Sequence, residues 1–126
     1  MENKRLICMN FVRDMFQLRD LIHIEHLLTD TNSKHEIFNE LYDDLLEFND
    51  EFAEVAMSRF GKFQTIKFLP GGFNRPIDIV SHLKQIRENI ESFKQYIPDC
   101  GDLCSIIDNF ETSISKCIYK LENFND

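Results

Sequence analysis

The run from Ser33 to Phe60 constrains the fold of this chain more than any other stretch. Ser33 and Glu36 have the spacing of a capping box, and Gly61 follows the last turn, so we expect one long helix between Ser33 and Phe60. Six apolar residues recur at steps of three and four, which places them on one buried face: Ile37, Leu41, Leu45, Phe48, Phe52 and Val55.

A second apolar stripe lies beside the first on the same predicted helix. Its members are Phe38, Tyr42, Leu46, Ala53, Ala56 and Phe60. A helix at the edge of a small bundle needs an apolar arc of only about 100°, whereas the two stripes together cover roughly half the circumference. The excess predicts a second neighbour for this helix, for which another copy of the chain is one candidate.

Polar residues with metal-ligating atoms follow the border of the second stripe, within an arc of roughly 100°: His35, Asn39, Asp50 and Glu54. His35 and Asp50 lie ~22 Å apart along the axis, so one ion cannot contact both ends of one helix. If two copies lie antiparallel, the histidine end of each helix faces the carboxylate end of the other across a twofold axis. If these residues are ligands, their spacing therefore favours a site shared between subunits.

The run from His23 to Ala56 resembles the signature of the Dps-like miniferritins, a branch of the ferritin superfamily that oxidises and stores iron. In that family a histidine near the end of the first long helix is followed twelve residues later by a second, and further along by D-x(3)-E. The matching residues are His23, His35, Asp50 and Glu54. The last predicted helix also resembles the family's last helix, though less specifically.

Two positions depart from the miniferritin pattern. Asn39 stands where the family has an acidic ligand, and Ile24 stands where a tryptophan usually follows the first histidine. An amide oxygen is a poorer, neutral ligand, so Asn39 should weaken the affinity for a first iron ion.

The resemblance implies a metal site built from two protomers. His23 and His35 of one chain would meet Asp50 and Glu54 of its mate, with Asn39 beside them and one or two iron ions bound. It implies a twofold dimer within a shell of up to twelve subunits, and a ferroxidase that uses peroxide or oxygen. Iron storage and protection from oxidants would follow.

Two competing interpretations remain open at the level of sequence. A ferritin-like structural or assembly protein, virion-associated for example, would keep the fold and lack ferroxidase activity, in keeping with Asn39 and Ile24. An unrelated four-helix adaptor would carry the acidic helix by coincidence.

Composition and charge narrow the classes of protein. A chain of 126 residues with 43% hydrophobic residues has the size and the apolar content of a single domain, covering residues 1–126. No stretch approaches eighteen apolar residues and the N-terminus lacks the pattern of a signal peptide, so we expect a cytoplasmic protein, or a virion-associated one if phage-encoded, with no membrane partner. The net charge of −8 opposes binding to DNA phosphates.

The remaining sequence predicts three more helices and a crossover, and hence an all-α, antiparallel four-helix bundle, which the resemblance implies is of ferritin type. Apolar periodicity predicts the other helices from about Asn3 to Leu28, from near Pro76 to Pro98, and from around Asp102 onward. The segment from Gly61 to Arg75 has a suitable length for the long crossover of a ferritin-like bundle, and Pro70-Gly71-Gly72 predicts a turn within it.

We assign structural rather than functional roles to several other residues that could in principle bind a metal or react. We interpret His26 as a cationic residue near a helix end, His82 as a boundary side chain, and Asp108 and Glu111 as solvated carboxylates. The cysteines are spaced without a C-x-x-C pair, and we expect reduced core thiols rather than disulfides or a zinc site: Cys8, Cys100, Cys104 and Cys117.

Overall fold

The computed structural model describes residues 3–67 and 74–124. Within these ranges the chain is helical and forms no strand, which confirms the all-α class. A short 3-10 turn, Lys94–Tyr96, follows the third of four α-helices, which are α1 (Lys4–Leu28), α2 (Asn32–Phe60), α3 (Ile79–Phe93) and α4 (Gly101–Asn123). None of the described helices is long and apolar enough to cross a membrane.

The N-cap of α2 lies two residues before the predicted one. Thr31, not Ser33, is the N-cap, because its backbone is extended and its hydroxyl accepts a hydrogen bond from the Lys34 amide at 3.3 Å. The Ser33 hydroxyl is instead buried without a hydrogen-bond partner. The predicted capping box at Ser33 is therefore wrong.

The bounds of α3 also differ from the prediction. The helix begins at Ile79 rather than near Pro76, because the Asp78 carboxylate accepts hydrogen bonds from the Val80 and Ser81 amides at 3.0 and 3.4 Å. It ends at Phe93, before the predicted stop at Pro98. The predicted turn at residues 70–72 lies outside the described residues.

The start of one helix lies beside the end of the other in two pairs of helices, α1 with α2 and α2 with α4. The side chain of Arg5, near the start of α1, lies 3.7 Å from where a Cβ on Gly61, after the end of α2, would stand. Helices α2 and α4 are joined at their ends by two exposed ion pairs, Lys120–Glu40 at 2.9 Å and Arg59–Asp102 at 2.8 Å.

Helix α3 packs chiefly against α4. Lys84 near its start pairs with Glu122 near the end of α4, at 3.3 Å, and Lys94 just after its end pairs with Asp108. The starts of α2 and α3 therefore both lie beside the end of α4.

Phenylalanine rings from all four helices form the centre of the core. Phe11 of α1 stacks on Phe93 of α3 at 4.1 Å between ring centres, and Phe48 of α2 stacks on Phe110 of α4 at 4.4 Å. Phe52 contacts both Phe11 and Phe93. Each such pair contributes roughly 0.5–1.5 kcal/mol beyond the area it buries, so these rings fix the lateral packing of the helices.

The second apolar stripe of α2 is largely covered by the chain itself. Phe38 and Ala56 are buried in the core, Tyr42 is half-buried, and only Leu46 among the larger members of the stripe is exposed. A second copy is therefore not needed to bury Phe38 or Ala56. The physical reason is that α2 packs against both α1 and α4, so that two intramolecular neighbours share its wide apolar arc.

The four cysteines are free thiols at the positions expected of core residues. Cys8, Cys100 and Cys117 are buried and Cys104 is half-buried. Burial raises the pKa of the Cys8 thiol to about 11 and that of Cys117 to about 12, since an apolar environment disfavours the thiolate.

Candidate metal-binding surface

All five residues predicted as metal ligands lie on the outside of the molecule. His23 occupies the last part of α1, and the other four lie along α2. Every one of their side chains is exposed, so each is accessible to an ion or to a second protein molecule: His23, His35, Asn39, Asp50 and Glu54.

The structure pairs His35 with His26 across the turn between α1 and α2. The Nδ1 atom of His26 lies 2.9 Å from the His35 carbonyl oxygen, and the Nδ1 atom of His35 lies 3.0 Å from the His26 carbonyl oxygen. The two rings stack with their centres 3.8 Å apart and their planes 29° from parallel. Each imidazole is therefore held by a backbone bond and by the other ring.

These hydrogen bonds select one tautomer of each ring. A carbonyl oxygen has no proton to give, so each Nδ1 must carry the proton and donate it. A neutral imidazole then has its lone pair on Nε2. Metal-ligating histidines are commonly fixed in this way, with one ring nitrogen donating to a carbonyl and the other left for the ion.

His23 does not join His35 in this arrangement. Its ring packs against Tyr42 of α2 at 4.8 Å between centres, and it lies 6.2 Å from the ring of His26. The sequence prediction paired His23 with His35 by their twelve-residue step and gave His26 a plain structural role. His26 was missed, although His26 and His35 flank the turn almost symmetrically and such residues face each other in a helical hairpin.

Asp50 and Glu54 lie far from these rings within one chain. Fifteen residues separate His35 from Asp50 on α2, which is ~22 Å along the helix axis. No side-chain hydrogen bond or ion pair engages either carboxylate among the described residues. A single protomer therefore does not bring the predicted histidines and carboxylates together, and the shared site stays a prediction about two protomers.

A separate cluster of carboxylates lies between α3 and α4. Glu91, Asp108 and Glu111 are the only described group of three or more histidine, cysteine or acidic residues whose ligand atoms lie within 4.8 Å of one another. The Lys94 ammonium already donates to Glu91 at 2.8 Å and to Asp108. A protein cation therefore offsets part of the negative charge of this cluster.

Glu111 is the least solvated member of the carboxylate cluster. Burial, followed by a hydrogen bond with Glu91, raises the pKa of Glu111 to about 7, and its Oε1 atom is buried without a partner. The interpretation of Glu111 as a solvated carboxylate is wrong, whereas Asp108 is exposed as expected. Sequence alone offered little signal, because the cluster joins residues of two different helices.

A family model described as "Family of unknown function (DUF5856)" matches residues 26–121, about three quarters of the chain. His26 and four of the five predicted ligands lie within that stretch, and His23 lies before it. No curated protein and no solved structure matches this sequence.

Proposed function

The chain belongs to the DUF5856 family, and we propose that it is a ferritin-like protein that binds and oxidises ferrous iron at a site shared between two copies. The iron would be stored within a homo-oligomer, which protects its surroundings from oxidants. In each site His23 and His35 come from one protomer, and Asp50 and Glu54 come from the other.

The order of the helices supports a ferritin-like fold. The ion pairs between α2 and α4 and between α3 and α4 join the start of one helix to the end of the next, as in an antiparallel bundle. Helices α2 and α3 both start beside the end of α4, an arrangement that is compatible with the long crossover between the second and third helices of ferritin-like bundles.

One observation carries the proposal of metal binding. His35 is exposed, and its Nδ1 atom donates to the His26 carbonyl oxygen at 3.0 Å, so that its Nε2 atom is free to bind an ion. Iron(II) accepts mixed imidazole and carboxylate ligands. The exposed Asp50 and Glu54 carboxylates of a second, antiparallel copy would supply the oxygen atoms.

Each ligand has a defined role in the proposed site. Asp50 and the two histidines would hold the first iron ion, and Glu54 would supply a further carboxylate toward a second ion. Asn39 would lie beside the first ion, where its neutral amide would bind more weakly than a carboxylate. Positions that no protein atom fills would be open to water and to the oxidant.

Metal content and oligomer mass test the proposal together. The wild-type protein should form a dimer or a larger oligomer and oxidise iron(II) faster than buffer alone, whereas Glu54→Gln should lose most of this rate. Glu88→Gln is the matched control, because Glu88 is an exposed glutamate on α3, away from α2. Asn39→Asp should preserve or raise the rate, since it restores an acidic ligand.

A ferritin-like assembly protein without ferroxidase activity is the second candidate. Asn39 favours it, and so do four exposed leucines on α1 and α2, which suit a protein contact better than solvent: Leu6, Leu27, Leu28 and Leu46. A stable oligomer that binds no iron, in both the wild type and Asn39→Asp, would establish this alternative and exclude the ferroxidase.

A further inference from the structure

The His26–His35 pair has features of a metal site that one protomer completes alone. It lies at the surface, His35 is exposed and His26 is half-buried. Both rings are held by bonds of 2.9 and 3.0 Å from Nδ1 to a main-chain carbonyl. The backbone therefore holds both rings in place before any ion binds.

We propose that His26 and His35 of one chain form a two-histidine site for a late first-row divalent cation, with Zn²⁺ as the simplest probe. The ion binds the two Nε2 atoms, and water molecules complete its coordination. This inference does not rest on the shared iron site, because it needs neither a second protomer nor a carboxylate. Both sites use the Nε2 atom of His35, so an ion in one of them excludes an ion from the other at the same histidine.

The spacing of the rings suits a single ion. Their centres lie 3.8 Å apart, so the two Nε2 atoms belong to rings that are in direct contact. The lone pair of each Nε2 atom lies in the plane of its ring, so the rings must tilt out of their present stack, in which the planes lie 29° from parallel, to direct both lone pairs at one ion. In the proposed site the rings make this tilt about the two hydrogen bonds from Nδ1, which are kept.

The chemistry of the donors selects the class of ion. Two neutral imidazoles without a carboxylate suit Zn²⁺, Cu²⁺ and Ni²⁺ better than Mg²⁺ or Ca²⁺, which prefer oxygen. Cu²⁺ should bind more tightly than Ni²⁺, as the general affinity order of these ions predicts. The net charge of −8 attracts cations to the whole surface, and the histidine pair supplies the selectivity.

Nitrogen NMR of the imidazole rings tests the site in the unmodified protein. Before metal is added, His26 and His35 should both show a protonated Nδ1 and an unprotonated Nε2. One equivalent of Zn²⁺ per chain should shift the Nε2 signals of these two histidines and leave their Nδ1 signals in place. A Zn²⁺-induced shift confined to other histidines would overturn the proposal.

Variants separate this site from the shared iron site. His26→Ala should weaken Zn²⁺ binding in calorimetry by at least about tenfold, the lower end of the loss seen even when only an outer partner of a metal ligand is removed. His82→Ala, which removes a half-buried histidine from α3, is the matched control and should change the affinity less than about twofold.

The double variant Asp50→Asn/Glu54→Gln distinguishes the two proposals. It removes the carboxylates of the shared site and should leave Zn²⁺ binding at His26 and His35 unchanged. If this double variant abolishes Zn²⁺ binding while His26→Ala does not, the two-histidine site is excluded and the shared site is supported. Circular dichroism of each variant verifies that its helices are intact.

Discussion

The Arg75 guanidinium, in the segment before α3, donates a hydrogen bond to the Glu25 carboxylate of α1. The Glu25 side chain is only 7% exposed, whereas that of Arg75 is 51% exposed. A buried carboxylate is unfavourable unless it is paired and hydrogen-bonded. This ion pair therefore fastens the end of the connection between α2 and α3 to the end of α1.

Replacement of Arg75 should destabilise the fold more than replacement of an exposed arginine. Arg75→Gln leaves the Glu25 carboxylate buried without its cation, and we expect a clear fall in the midpoint of thermal unfolding. Arg59→Gln is the matched control, because its pair with Asp102 is exposed and such pairs contribute little. The double variant Arg75→Gln/Glu25→Gln should recover most of the loss. An equal effect of Arg75→Gln and Arg59→Gln would contradict the argument.

Asn49 is buried in α2, and neither its amide nitrogen nor its amide oxygen has a hydrogen-bond partner. A buried polar group without a partner destabilises a fold by about 1–3 kcal/mol. Leucine has the same branched shape and the same number of side-chain heavy atoms as asparagine, so Asn49→Leu should raise the free energy of unfolding by about 1–2 kcal/mol in urea titrations. Asn109→Leu, at an exposed site on α4, serves as the control and should change it little. A destabilised Asn49→Leu would indicate that the amide has a partner such as water.

The raised pKa of Glu111 predicts how the free energy of unfolding depends on pH. Burial first, and then the neighbouring Glu91 carboxyl, raises the pKa of Glu111 from 4.5 to about 7 in the folded protein. A carboxyl group with a raised pKa contributes stability below pH 4.5 and loses that contribution as the pH rises toward 7. Two further charges face Glu111: the Lys94 ammonium lowers its pKa, and the Asp108 carboxylate raises it.

Glu111→Gln should remove this pH dependence. The amide stays neutral, so the variant should gain stability over the wild type between pH 5 and pH 8, with the larger gain at pH 8. Glu88→Gln on α3 provides the control, and its stability should follow the wild-type curve. Denaturant unfolding at several pH values measures both. Parallel curves for Glu111→Gln and the wild type would show that Glu111 ionises as an ordinary glutamate.

The start of α2 can be tested by paired substitutions of two hydroxyl residues. Thr31→Ala removes the hydroxyl that accepts from the Lys34 amide and should lower the free energy of unfolding by about 1 kcal/mol. Ser33→Ala removes a buried hydroxyl without a partner and should be neutral or stabilising. The reverse order of effects would restore Ser33 as the cap.

Periodicity predicted the helices well because burial of an apolar face determines where a helix packs. The predicted bounds of α1 agree with the structure to within one residue at Lys4 and fully at Leu28. The predicted starts of α2 and α3 were less accurate, because a single hydroxyl or carboxylate decides where a helix begins. Thr31 caps α2 and Asp78 caps α3, whereas the sequence pattern placed both starts at other residues.

The candidate site was harder to predict than the helices. Which histidine meets His35 depends on the phase of two helices across a turn, and a shift of three residues exchanges His23 for His26. Asn49 escaped notice because it lies among polar neighbours in the sequence and yet is buried in the fold. Contacts between distant elements, such as Glu91 with Glu111, leave no local pattern.

The buried thiols can report how often individual helices move away from the core. Cys8 and Cys117 are buried and hold their protons tightly, so an alkylating reagent can reach them only when α1 or α4 separates from the core. Cys104 is half-buried and should be modified first. The order in which mass spectrometry detects the three labels would therefore report which helix leaves the bundle, and how often, in the native protein.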